Sequence, residues 1–211
     1  MGIISVKTIP IRDDWKIQED GRELSKKAFD RNRKKSQQSV DERIHYMWFK
    51  YLQLCINLEE IKHSIPKRGG RGKIISTTKV KVSKDIYRKW DLEMVKKSSF
   101  REWYDGGKQL LFYKGGFQYT RGSQYHPLVK RFNVFILYHN MMNDKNLYLK
   151  GNQTKGMMVS EKIVEDLQKK RYELIERRTN TKNMSVQKRV MKDVVDCENT
   201  ILAVCKGRFP K

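Results

Sequence analysis

Acidic side chains are scarce in this sequence: 24 Asp and Glu stand against 46 Lys and Arg, a net charge of +22 over 211 residues. A surplus of that size repels itself, so a polyanion or an acidic surface is the expected partner. Cysteine is nearly absent. Cys55, Cys197 and Cys205 are odd in number, widely spaced and without a CxxC pair, which excludes a disulfide framework and predicts buried, reduced thiols. No apolar run approaches the roughly 18 residues of a membrane span, and "MGIISVKTIPIRDDW" has no apolar core behind a basic leader. A cytoplasmic protein with no membrane partner is the expectation, with virion association as the alternative. Val6 stands where an N-myristoylation signal at Gly2 needs Ser or Thr.

Recognisable catalytic spacings are missing as well. The four histidines, His45, His63, His126 and His139, form no HExxH or close metal pair. Metal-assisted phosphodiester cleavage needs two or more carboxylates held together. Glu60 with Lys62, Asp91 with Glu93, and Asp105 are the only candidates, and Glu60 and Lys62 would point to different faces of a helix. "YHNMMN" at His139 has the look of an HNH segment without the framework around it, so His139 is expected at a strand end with a hydrogen-bond partner. There is no GxSxG and no Cys with an evident His partner. "GGRGK" from Gly69 lacks P-loop spacing, and Ile74 replaces the magnesium-binding hydroxyl. No catalytic residue, cofactor or metal ligand is expected.

What remains has the profile of a folding chain, with 38% hydrophobic and 33% charged residues. Residues 3–9, "IISVKTI", suit a short edge strand. Residues 21–38 carry too few apolar anchors to be held firmly and read as a basic arm that includes Lys34 and Lys35. Ser39 and Glu42 form a capping-box pattern before a helix to about His63, whose Ile44, Met47, Trp48, Tyr51, Leu54, Cys55, Leu58 and Ile61 make one apolar stripe.

Pro66 is expected to stop that helix and open the loop "SIPKRGGRGK". The alternation in "KIISTTKVKV" then predicts a strand over 73–82 with Lys73, Lys79 and Lys81 on its basic face. Ser83 is placed to start the next helix, along which Ile86, Trp90 and Met94 lie four apart. Phe100, Trp103 and Tyr104 read as one turn packed on the core, with Leu110, Leu111 and Phe112 as a second apolar patch. The β-branched and aromatic run at 132–138 suggests a buried strand. Ser160 and Ser185 precede two amphipathic segments that read as a C-terminal helical hairpin, closed by Gly207 and Pro210.

The fold class is therefore α+β: a mostly helical single domain with a small β-sheet over 73–82 and 132–138. Its parts are an N-terminal strand and arm (1–38), a mixed core (39–150) and the C-terminal hairpin (151–211).

From Lys67 to Lys89 there are nine basic residues, Lys67, Arg68, Arg71, Lys73, Lys79, Lys81, Lys84, Arg88 and Lys89, against the single acid Asp85. Glycines expose backbone amides to a phosphate, and Arg68 and Arg71 can engage its oxygens bidentately. Six duplex phosphate contacts would give log K against log salt a slope of about −5. Further contacts are expected from Lys34 and Lys35 in the basic arm, from Tyr119 and Arg121, with Tyr113 and Phe117 as stacking platforms for single strands, and from Lys188, Arg189 and Lys192 on the last helix.

Trp90 on a helix, the F-x-x-W-aromatic turn Phe100, Trp103 and Tyr104 closing with Leu111 and Phe112, and the terminal Gly207, Arg208, Phe209 and Pro210 resemble a family of short basic proteins of phages, phage satellites and integrative elements. Tyr104 stands where that pattern has a second Trp. The resemblance implies a mobile-element setting and brings no catalytic residues. The expected function is non-enzymatic nucleic-acid binding, DNA ahead of RNA, through the basic loop and strand. Two alternatives stand beside it. One is a scaffold or decoration protein that binds an acidic capsid surface and self-associates through its helices as a homo-oligomer; the other is a metal-dependent nuclease.

Overall fold

The computed structural model describes residues 2–9, 36–114, 125–144, 147, 154–169 and 185–209. Within them run α1 (Ser36–Glu60), β1 (Ser64–Arg68), β2 (Ile74–Lys79), α2 (Lys84–Trp90), α3 (Leu92–Lys97), α4 (Phe100–Trp103), α5 (Gln109–Lys114), α6 (Tyr125–Asn143), α7 (Lys155–Lys169) and α8 (Val186–Val204). A wide π turn at Tyr104–Lys108 joins α4 to α5. The chain is a mostly helical α+β domain, and among the described residues its sheet is one antiparallel pair, β1 with β2.

Helix α1 forms the spine because its apolar residues recur on more than one side. Met47, Trp48, Tyr51, Leu52, Leu54, Cys55 and Leu58 are fully buried, as expected of a helix surrounded by neighbours. It starts three residues before the expected cap at Ser39, which lies inside its first turn. Its end is a Schellman motif: the His63 N–H donates to the Leu58 carbonyl at 2.8 Å, the Lys62 N–H donates to Glu59 at 3.0 Å, and Lys62 is left-handed at φ 54°. The helix is therefore finished by Lys62, and Pro66 falls within β1.

An aromatic cluster fills the space between α1 and the short helices. Trp48 lies 5.3 Å from Trp90 and 5.5 Å from Phe209, and Phe49 lies 5.1 Å from Trp103, centroid to centroid. The Trp103 indole N–H donates to the Trp90 carbonyl at 2.7 Å. Two of the anticipated helix starts hold: Ser83 accepts from the Ile86 N–H, and Ser185 from the Lys188 N–H. Gly207 is left-handed at φ 77° and closes α8, while Phe209 is buried. Of the residues behind the resemblance, Trp90, Phe100, Trp103, Tyr104, Phe112 and Phe209 are thus core residues and Gly207 is a helix cap, while Pro210 lies outside the described residues.

Three expectations are corrected. Residues 132–138 are helical, because α6 packs against α1, α7 and α8 and buries Phe132, Val134 and Phe135; a surface already lined by helices has no strand for this run to pair with. Ser160 does not start a helix. It is buried inside α7, where its hydroxyl donates to the Gly156 carbonyl at 2.7 Å.

Residues 3–9 form no strand, with a bend at Val6, and pair with no strand among the described residues. Side-chain amides of α6 take a strand's place: Asn140 accepts from the Ile4 N–H at 2.8 Å and donates to its carbonyl at 3.0 Å. Asn133 does the same for Ile9, at 2.8 and 2.5 Å. The three cysteines are free and buried, and burial pushes the Cys55 and Cys197 thiols well up. Among the described residues no helix is long and apolar enough to cross a membrane.

Candidate nucleic-acid interface

The segment read as a loop from Ser64 is half of a β-ribbon. Its register pairs Ser64 with Lys79, Ile65 with Thr78, Pro66 with Thr77 and Lys67 with Ser76, followed by an irregularity at Arg68. The Val80 N–H donates to the His63 carbonyl at 3.0 Å. Alternation of hydrogen-bonded and open pairs along an antiparallel ladder then puts Pro66 opposite Thr77 in an open pair, where its missing N–H costs no ladder bond.

The turn is made by Gly69 to Lys73, with the Gly69 N–H donating to the Lys73 carbonyl at 2.7 Å and the Gly72 N–H to Gly69 at 3.2 Å. Gly72 has φ 74°, which suits glycine, but Arg71 also lies in the left-handed region at φ 58°. An arginine held there costs about 1 kcal/mol relative to glycine, and it sets a guanidinium at the tip of the ribbon.

The ribbon is anchored at one end and open along the rest. Ile65, Val80 and Val82 are buried in the core. The Ser83 N–H donates to the Cys205 carbonyl at 3.1 Å, and Glu59 accepts from both the Val82 N–H and the Tyr87 hydroxyl. Beyond those anchors every residue from Arg71 to Lys79 is exposed. Ile74 and Ile75, at 58% and 63% exposure, are large apolar side chains left in water beside Arg71 and Lys73.

Ion pairing separates the basic residues into two groups. The acids of α8 are used internally, Asp193 with Lys130 at 2.9 Å and Asp196 with Arg131 at 3.1 Å. Glu198 meets Arg68 Nη1 at 3.2 Å, as an ion pair without hydrogen-bond alignment. Arg68, one of the expected phosphate contacts, thus ties the ribbon to α8 through this pair. Burial pushes the Glu198 carboxyl up to about 7 while Arg68 pulls the other way.

By contrast, Lys67, Arg71, Lys73, Lys79, Lys81, Lys84 and Arg88 are exposed, and none is in an ion pair among the described residues. Lys89 is also exposed and lies over the Trp90 ring at 5.7 Å. On α8, Lys188 and Lys192 are exposed, whereas Arg189 is half-buried and has a partner. Lys34, Lys35, Phe117, Tyr119 and Arg121 lie outside the described residues; Tyr113 is exposed.

His139, expected at a strand end, lies within α6. Its ring is 4.7 Å from His63, edge to face, and 4.4 Å from Phe135. The Nε2 atoms of both histidines are buried without a hydrogen-bond partner among the described residues. Burial lowers the pKa of His63; burial, His63 and Arg68 together take His139 to about 4. Among the described residues no three His, Cys, Asp or Glu side chains are grouped to hold a metal.

Sequence reading missed one further set of residues. Lys50, Gln53, Asn57 and Glu60 form a polar stripe on α1 that lines a cleft under the N-terminal segment. Lys50, a lone lysine inside "MWFKYLQL", was the signal available for it. No protein-family model matches this sequence, and comparison with curated proteins and with solved structures finds none that is similar.

Proposed function

We propose that this protein binds nucleic acid without catalysing a reaction, as part of a phage or other mobile element, with the β1–β2 ribbon as its phosphate-contacting surface. The observation that carries the reading is the set of exposed cations Lys67, Arg71, Lys73, Lys79, Lys81, Lys84 and Arg88, none in an ion pair among the described residues, with Asp85 the single acid in that stretch. Such a row neutralises phosphates and releases their counterions. A two-stranded ribbon also fits the major groove of duplex DNA, which favours DNA over A-form RNA, whose deep groove excludes side chains. Ile74 and Ile75 supply an apolar contact for thymine methyls or an opened base step.

A salt titration against a duplex, a single strand and an RNA of matched length, with and without magnesium, tests the reading. The expected result is tightest binding to the duplex, a steep salt slope and no cleavage. Replacing Arg71, Lys73 and Lys79 with Ala should make the slope shallower by about 3, one counterion release near 0.9 for each lost contact. Replacing Ile74 and Ile75 with Ser should weaken duplex binding while leaving that slope in place. An unchanged slope in the triple variant removes the ribbon from the proposal. Assembly on an acidic virion protein without nucleic-acid binding would move it to the scaffold reading, and magnesium-dependent nicking to a nuclease.

A further inference from the structure

The N-terminal segment, α1 and α3 enclose a cleft of about 440 Å³ lined by Ser5, Val6, Lys7, Lys50, Gln53, Ile56, Asn57, Glu60 and Lys96, a volume within the usual range for small-ligand sites. Its shape depends on the pinning of residues 2–9. Asn57 accepts from the Ser5 N–H at 3.2 Å and donates to the Ser5 hydroxyl oxygen at 2.8 Å, while Asn140 and Asn133 hold Ile4 and Ile9 on either side. Lys7 is thereby laid over the same helix that carries Lys50.

Charge in the cleft does not balance. Lys96 is paired with both Glu60 at 2.9 Å and Glu93 at 3.6 Å, so the three lysines exceed these two glutamates by one. Lys7 and Lys50 both line the cleft, and neither is in an ion pair among the described residues. Among the described residues the Lys50 ammonium makes one hydrogen bond, a donation to Gln53 Oε1 at 3.0 Å, of the three that an ammonium can donate. Two lysines that line one cleft, neither paired with a carboxylate among the described residues, carry a repulsion that an anion between them removes.

We propose that this cleft binds a phosphate monoester or inorganic phosphate, clamped between the ammonium groups of Lys7 and Lys50. The Ser5 hydroxyl, whose oxygen already accepts from Asn57, keeps its own hydrogen to donate. Glu60 lies paired with Lys96, so the anion sits at the opposite, uncompensated end. The polarity supports this assignment: burial and then Lys7 bring Lys50 down to about 8, and a dianion beside it restores the charged form, so binding near pH 8 takes up a proton. The site is independent of the ribbon, and each can fail without the other.

Calorimetric titration of the full chain with inorganic phosphate at pH 8 and physiological salt, in two buffers of different ionisation enthalpy, is the test. One saturable site with proton uptake is expected. Lys7→Gln, a change at an exposed residue, and Lys50→Gln should each weaken it by about tenfold, the loss of one charged hydrogen bond. Lys50→Arg should retain binding and abolish the proton uptake, and Lys73→Gln on the ribbon should change neither. Lack of saturable binding, or equal weakening by Lys73→Gln and Lys50→Gln, overturns the proposal. A 5′-phosphorylated oligonucleotide and its unphosphorylated twin distinguish the source: a preference for the first that Lys50→Gln removes assigns the end of a strand, and equal binding of both strands beside phosphate binding assigns a free anion.

Discussion

Arg68 on β1 and Glu198 on α8 stand 3.2 Å apart, with side chains only 21% and 4% exposed. This pair joins the ribbon to a helix about 130 residues further along the chain, and it takes out of solvent one of the two arginines that the sequence offers for phosphate. Neighbouring arginines in one glycine-rich stretch consequently do different work.

Substitution separates those roles. Arg68→Ala leaves the buried Glu198 without its partner and should destabilise the fold by about 1–3 kcal/mol, moderated by protonation of Glu198, with no change in the salt slope of nucleic-acid binding. Arg71→Ala should have the reverse profile, a slope shallower by about 0.9 and stability nearly unchanged. Denaturant unfolding and a salt titration on the two variants measure both effects.

Glu198 and His139 give stability two opposed responses to acid. The folded pKa of His139, about 4, lies below the ordinary 6.5. Between those values the unfolded chain binds the extra proton, so its contribution is present above pH 6.5 and is lost as pH falls towards 4. Glu198 has a folded pKa of about 7 against an ordinary 4.5, so the folded chain binds the extra proton in that window and acidification favours folding. Each spans roughly 3 kcal/mol at full extent. Glu198→Gln should steepen the loss of stability between pH 6.5 and 4, and His139→Phe should reduce it. Unfolding free energies at stepped pH for the three proteins check the signs.

Two helix ends invite opposite glycine substitutions. At Gly207 an added Cβ would meet Ile86 Cδ1 at 2.6 Å, and φ is 77°. Gly207→Ala should therefore cost about 2–3 kcal/mol, from left-handed strain and the contact together. Lys62 occupies the same left-handed cap position on α1 with φ 54°, and Lys62→Gly should stabilise the fold by about 0.5–1 kcal/mol. Thermal melts of the two single variants provide the comparison.

Asn133 acts as the strand that residues 3–9 lack. Asn133→Leu removes both of its bonds to Ile9, at a cost of about 1–3 kcal/mol. Hydrogen exchange should accelerate at the Ile9 amide, with little change at the Val82 amide, which Glu59 holds.

Local chemistry was readable along the chain. Ser83 and Ser185 announce their helices, the stripe from Ile44 to Leu58 is buried as its period requires, and Gly207 ends α8. Each of these depends on a side chain and the few residues around it. The run at 132–138 was misread because β-branched and aromatic residues suit either a strand or a buried helix, and only packing against α1, α7 and α8 decides between them.

The ribbon illustrates the same division. Alternation in 73–82 located one strand and its basic face, but pairing with Ser64–Arg68 requires a partner that a proline and three glycines made look like a loop. The surplus of positive charge belongs to the sequence alone, since counting side chains determines it. Which of those cations meet solvent and which are spent inside was decided by tertiary structure, because an ion pair such as Arg68 with Glu198 exists only once distant segments are brought within a few ångströms.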